Sequence, residues 1–282
     1  AIWTFQMYLI LIWSSFIIFT FVYILKMINK EIKNQVAVLT LNRPEKYHSF
    51  VKEMALALQS ELDACDNDSN IRCIVITASG KAFCAGQDLS EAIDSNGPGL
   101  KKIVDEHYNP IIRKIRNIEK PIIAAVNGVA AGAGASIALA CDIVIAKKSA
   151  VFVQAFSKIG LIPDSAATFF LPRLIGVQKA AGLMMTGEPI TAEDAHKIGM
   201  IYKYVDDDKF DDEINLFSEK ISKMPTKGLG LTKRLLNSSF NNNLEEQLTD
   251  ELNAQIIAGK TNDYNEGVNA FLAKRKPNFK GN

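Results

Sequence analysis

An excess of charge of either sign is missing from this sequence: 32 Lys and Arg stand against 31 Asp and Glu over 282 residues, a formal net charge of +1. No basic field exists to draw a nucleic-acid backbone, so small partners are expected instead. Cysteine is scarce and scattered. The four, Cys65, Cys73, Cys84 and Cys141, contain no C-x-x-C pair, which excludes a zinc ribbon and a disulfide framework and fits reduced cytoplasmic thiols. Histidine is scarcer still, and His48, His107 and His196 have no metal-ligand spacing. Gly128, Gly132 and Gly134 miss the G-x-G-x-x-G spacing of a dinucleotide loop, and there is no G-x-x-x-x-G-K-[ST] phosphate loop. No Ser/Pro/Gly linker, low-complexity tract or internal repeat divides the chain.

What is present begins with a long uncharged run, Ile2 to Leu25, followed by Lys26, Lys30 and Lys33. About 20 apolar residues suffice to cross a bilayer, and the trailing lysines would leave everything downstream in the cytoplasm. Two readings stand side by side, a membrane anchor and an N-terminal extension over residues 1–20 ahead of a first strand in FVYILKMI. Beyond it, β-rich runs (Val36 to Leu41, Cys73 to Ala78, Pro121 to Val126, Asp142 to Ala146) alternate with amphipathic stretches such as Val51 to Asp66 and Leu100 to Lys120. Continuous apolar strands separated by helices predict an α/β core with a largely parallel sheet over residues 21–200. Residues 201–282 read as a helical module, with helices around Asp207 to Lys223, Asn243 to Gly259 and Thr261 to Lys274 and a capping box at Asn243 and Glu246.

Two loops of small residues follow predicted strands, Ser79 to Leu89 and Asn127 to Ser136. Glycine and alanine there let a ligand approach the backbone, and a helix N-terminus presents N–H groups to it, the makings of an oxyanion site. Further on, GLIPDSAATFF carries one carboxylate, Asp164, in apolar company. Alone, it reads as a helix cap or turn residue. Asp88 and Asp142 also sit at junctions and read as caps first. Cys84 has no histidine placed to activate it and reads as a packed small residue. His107, with Tyr108, either walls an acyl pocket or sits on a helix surface.

Taken in order, LNRPEKYHSF at Leu41, GKAFCAGQDL at Gly80, PIIAAVNGVAAGAGASIALACDIVIA at Pro121, FSKIGLIPD at Phe156 and FLAKRKPNFKG at Phe271 change the weighting. With them the chain, from about Phe21 to its end, resembles the crotonase, or enoyl-CoA hydratase/isomerase, family. The resemblance implies a crotonase (ClpP-like) fold of repeated ββα units with a helical C-terminal module for trimerisation, assembled as trimers or hexamers. It implies an acyl-CoA thioester substrate, with no cofactor beyond the CoA the substrate carries. Its oxyanion donors would be the backbone amides of Ala85 and Ala133. CoA contacts would come from Lys46, Ser49, Ala85, Gly86, Gln87, Asp88, Leu89 and Ala133, with Phe271 and Lys274 reaching a neighbouring subunit's CoA. Family hydratases place glutamates where this chain has Ser136 and Phe156, which disfavours hydration. Asp164 stands where family isomerases place their acid, and the resemblance is nearest to isomerases of ring-1,2-epoxyphenylacetyl-CoA and 3-enoyl-CoA. A 2-enoyl-CoA hydratase and a non-catalytic acyl-CoA-binding protein are the alternatives. One departure is local: Ser165-Ala166-Ala167-Thr168 replaces a small residue followed by Gly-Gly-Thr, which either narrows the pocket or excludes a positive φ.

Overall fold

The apolar runs become strands of one six-stranded sheet in the computed structural model, which describes residues 26–282. The reading of Ile2 to Leu25 as anchor or extension lies outside the described residues. Among those described, no helix is long and apolar enough to cross a membrane. Strand order is β1 (Ile28–Lys33), β2 (Val36–Leu41), β3 (Cys73–Ala78), β5 (Ile122–Val126), β7 (Ile143–Lys147) and β10 (Lys203–Val205). Only the β1/β2 pair is antiparallel. A smaller sheet, β4 (Ala82–Cys84), β6 (Val129–Ala131), β8 (Val151–Val153) and β9 (Pro189–Thr191), stands beside it and is parallel except for β8/β9.

The inner strands β3, β5 and β7 are buried on both faces, which is why they show no polar alternation, whereas the edge strand β1 is largely exposed. Ile74, Ile76, Ile122 and Ala124 face one core, together with Met54, Leu58 and Leu62 of helix α1 (Lys52–Asn67) and Ile111 and Ile115 of α2 (Asn109–Asn117). The alternate residues Cys73, Val75, Ile123 and Ala125 face a second core with Phe210 and Ile214. Each fully buried Ile or Leu contributes roughly 1.5–3 kcal/mol, so the sheet is a rigid base for the loops at its strand ends. Helices α3 (Ala133–Ala140), α4 (Ala167–Ile175), α5 (Val177–Thr186) and α6 (Ala192–Lys197) follow, and then α7 (Phe210–Ser222), α8 (Thr226–Ser238), α9 (Leu244–Ala258) and α10 (Asn262–Leu272).

The last strand of the core sheet, β10, lies past residue 200 and pairs in parallel with β7. Two expectations are corrected here. The C-terminal module has four helices; α8 lies in a stretch read as having none. Asp142 caps no helix. Its carboxylate is half-buried between Arg116 (2.9 Å) and Lys233 (2.8 Å) and accepts the Ile122 N–H (2.8 Å), tying α8 to the core. The capping box at Asn243 and Glu246 is present as expected.

Candidate active site

Asp164, the two loops of small residues and an apolar wall meet around a cavity of about 190 Å³. Ala85, Gly86, Gln87 and Leu89 come from the loop after β4, Gly132 and Ala133 from the turn into α3, and Leu100, Ile103 and Val104 from the helical segment before α2. Phe156, Ile159, Leu161 and Asp164 close the other side, and among the described residues Asp164 is the one ionisable residue on the cavity wall.

Close packing of the two glycine-rich loops holds the floor. A Cβ on Gly134 would lie 2.6 Å from the Cys84 Cβ, so only glycine lets α3 sit against β4. Gly86 has φ +89° and lies so near the opposite loop that a Cβ there would be 3.0 Å from the Ala131 oxygen and 3.4 Å from the Ala133 nitrogen. Ala133 is the first residue of α3, and its N–H has no partner within the helix, as the geometry of a helix start requires. The α3 dipole adds positive potential at the same point.

Ala85, expected as the second donor, has its N–H engaged elsewhere, donating to the Tyr47 carbonyl at 2.9 Å. Phe50 bridges the following residues, donating its N–H to the Gly86 carbonyl (2.6 Å) and accepting the Asp88 N–H (2.9 Å). No described peptide bond is cis, so the Gly86–Gln87 peptide, with its carbonyl bonded to Phe50, directs the Gln87 N–H the opposite way. Among the described residues nothing accepts that N–H. Gln87 and Ala133 thus both line this wall, and neither amide has an acceptor among the described residues.

Asp164 is half-buried, and its carboxylate accepts the Ser165 hydroxyl at 2.9 Å. Burial pushes its pKa above the ordinary aspartate value, and the Ser165 hydrogen bond opposes this. The carboxylate does not cap α4: the residue at the cap position is Ala166, and no side chain bonds the first turn. Ser165 (φ +52°) and Ala166 (φ +59°) are both left-handed, which delays the helix start to Ala167. Ala166 thus adopts the positive φ rather than excluding it, Ala167 is helical, and neither alanine lines the cavity. Left-handed backbone costs an alanine roughly 1–2 kcal/mol, partly offset by the greater unfolded-state freedom of glycine. Ala166→Gly is accordingly expected to stabilise the fold by about 0.5–1 kcal/mol, read as a higher urea midpoint at unchanged slope.

Other sequence candidates are placed elsewhere. Lys46 is exposed on a short turn; Ser49 is buried, with its hydroxyl and carbonyl accepting the Arg43 guanidinium (3.0 and 2.8 Å). Asp88 pairs with Arg43 at 2.7 Å and caps the turn Leu89–Ala92 through the Ser90 N–H, so its role is structural. Phe271, 83% exposed, and Lys274 lie at the end of α10 and do not line this chain's own cavity, the expected contact being with a neighbouring subunit's CoA. Cys84 is fully buried, donates to the His48 carbonyl (3.2 Å), and has its thiol pushed up to about 12 by burial, as inert as the sequence suggests. His48 is a buried brace between the Arg43 N–H and the Ser79 carbonyl. His107 is buried rather than on a helix surface, in a π-helical turn over Ile103–Tyr108. Tyr108, at the end of that turn, donates its hydroxyl to Gln87 Oε1 at 2.9 Å, a contact no sequence spacing announced.

The model of the family described as enoyl-CoA hydratase/isomerase matches residues 31–282. The chain belongs to the enoyl-CoA hydratase/isomerase family. Within it, 1,2-epoxyphenylacetyl-CoA isomerase of Escherichia coli K12 is 47% identical over 260 residues, covering 91% of this chain and 99% of that protein. A protein of Rhodobacter capsulatus named "Probable enoyl-CoA hydratase" is 39% identical, covering 90% and 98%. The crystal structure of an enoyl-CoA hydratase from Polaromonas sp. JS666 superposes with a TM-score of 0.83 at 34% identity, covering 89% of this chain and 99% of that one. The crotonase fold expected from the motifs is the fold observed, and both isomerase and hydratase names occur among these relatives.

Proposed function

We propose that this chain is an isomerase of acyl-CoA thioesters in which Asp164 moves a proton from one carbon to another while the Gln87 and Ala133 amides hold the thioester oxygen. One observation carries this reading: among the described residues Asp164 is the sole ionisable group on the cavity wall. Hydration needs a second group to orient and activate water. Ser136 turns its hydroxyl to the Gly132 carbonyl (3.1 Å), and Phe156 is apolar.

The chemistry follows from these groups. Ionised Asp164 takes a C2 proton from a 3-enoyl-CoA, the charge passes to the thioester oxygen against the two amides, and the protonated acid returns the proton at C4. The product is the 2-enoyl thioester. A ring-1,2-epoxide of phenylacetyl-CoA has a C2 proton acidified the same way, and the 47% identity to the E. coli epoxyphenylacetyl-CoA isomerase supports it as a substrate for ring expansion to the oxepin. The apolar wall keeps water from the enolate and favours the neutral acid, which brings Asp164 nearer the value a proton shuttle needs. An exposed stripe on α9, Leu244, Leu248, Leu252 and Ile256, supports assembly with further copies of the chain.

The test is turnover of 3-hexenoyl-CoA, the ring epoxide and crotonyl-CoA across pH. Because the base must be ionised, kcat/KM for isomerisation is expected to rise with pH through a midpoint above the ordinary aspartate pKa of 3.8. Water addition to crotonyl-CoA faster than any isomerisation would sink the proposal.

A further inference from the structure

We propose that Tyr108 and Glu91 are positioning residues that clamp both ends of the Gln87 carboxamide and so fix the direction of its backbone N–H. This rests on the reading of Gln87 as an oxyanion donor. Glu91 Oε2 accepts Gln87 Nε2 at 2.7 Å, while Gln87 Oε1 accepts the Tyr108 hydroxyl at 2.9 Å. The polarity is self-consistent. A carboxylate can only accept, so it fixes which end of the amide is nitrogen, and the remaining oxygen requires Tyr108 to donate.

Each clamp is itself anchored. Glu91 Oε1 accepts the Lys52 N–H (2.9 Å) at the start of α1, where the helix N-terminus favours its charge. Tyr108 is fully buried, and its ring packs on Phe50 with centroids 5.7 Å apart. Phe50 in turn bonds the peptides on both sides of Gln87. The helical turn that bears Tyr108 also lines the cavity through Ile103 and Val104. Side chain and main chain of Gln87 are thus held by one cluster, in a loop whose Gly86 would otherwise allow the peptide to rotate freely.

Tyr108→Phe removes only the hydroxyl. The expected result is a kcat lowered about tenfold, equivalent to ~1.4 kcal/mol of transition-state stabilisation, with KM within about twofold. Glu91→Ala is expected to act likewise, and Glu91→Gln, which still accepts a hydrogen bond, to recover most of the loss. A direct readout is the infrared carbonyl stretch of bound phenylacetyl-CoA labelled with carbon-13 at the thioester. The parent is expected to shift this band to lower frequency relative to free ligand, and Tyr108→Phe to give back part of the shift. No shift in the parent would overturn the oxyanion reading itself. A full shift in the parent that Tyr108→Phe leaves intact, or a kcat unchanged by that variant, would overturn the clamp alone.

Discussion

Replacing Asp164 with Asn is expected to lower isomerisation of a 3-enoyl-CoA by about 10³-fold while making the folded protein more stable at neutral pH. The two effects have one cause. A half-buried carboxylate surrounded by apolar groups is costly to ionise, and its raised pKa is the measure of that cost. The native state binds this proton more tightly than the unfolded chain does. The contribution of Asp164 to the parent's stability is therefore greatest below the ordinary aspartate pKa and falls as pH rises from there through the raised folded value. Asparagine carries no charge and can still accept the Ser165 hydroxyl, so that fall is removed. Thermal unfolding of both proteins at pH 7 and at pH 4 checks the sign: the difference in Tm should be larger at pH 7. A variant that isomerises at the parental rate would show that another group moves the proton.

This trade between chemistry and stability explains why some features were legible in the sequence and others were not. The runs VAVLTL and CIVITA announce strands because the inner part of the large sheet is packed on both faces. The second sheet uses strands of three residues, too short for any periodicity to register. Helix α8 was hidden by Gly228 and Gly230, poor helix formers. Gly230 is nonetheless needed there, since a Cβ would meet the Glu119 carbonyl at 2.3 Å. Asp164 was visible as an acid in apolar company. Its release from capping was not, because that depends on two successive left-handed residues that are not glycine.

The proposal of Gln87 in place of Ala85 has a similar source. A motif such as FCAGQD says that small residues cluster, but an oxyanion donor is defined by which way one peptide points. Here the peptide is held by the backbone of Phe50, distant in sequence, and the Gln87 side chain meets Glu91 and Tyr108, partners that the loop motif does not announce. The same separation of backbone from side chain makes the other half of the hole testable by a single substitution.

Ala133→Pro is expected to reduce kcat by about 10²–10³-fold with the fold intact. Proline is well tolerated at the first residue of a helix, where φ is already suitable and the N–H has no intrahelical partner to lose. Ala133 occupies that position in α3, and the residue before it is Gly132, with a backbone (φ +54°, ψ −128°) outside the α region that a following proline disfavours. The substitution therefore deletes a hydrogen-bond donor and places a ring carbon where it stood, leaving the rest of the helix unchanged. Ala133→Ser is the control: it keeps the N–H, adds one small polar atom, and is expected to stay within about fivefold of the parent, roughly the effect of a ~1 kcal/mol change. Near-UV circular dichroism and Tm establish that the proline variant is folded, and kcat on 3-hexenoyl-CoA reads the donor. If proline and serine at this position were to cost the same, the Ala133 amide would not be holding the thioester oxygen, and the stabilising charge would have to come from the α3 dipole as a whole.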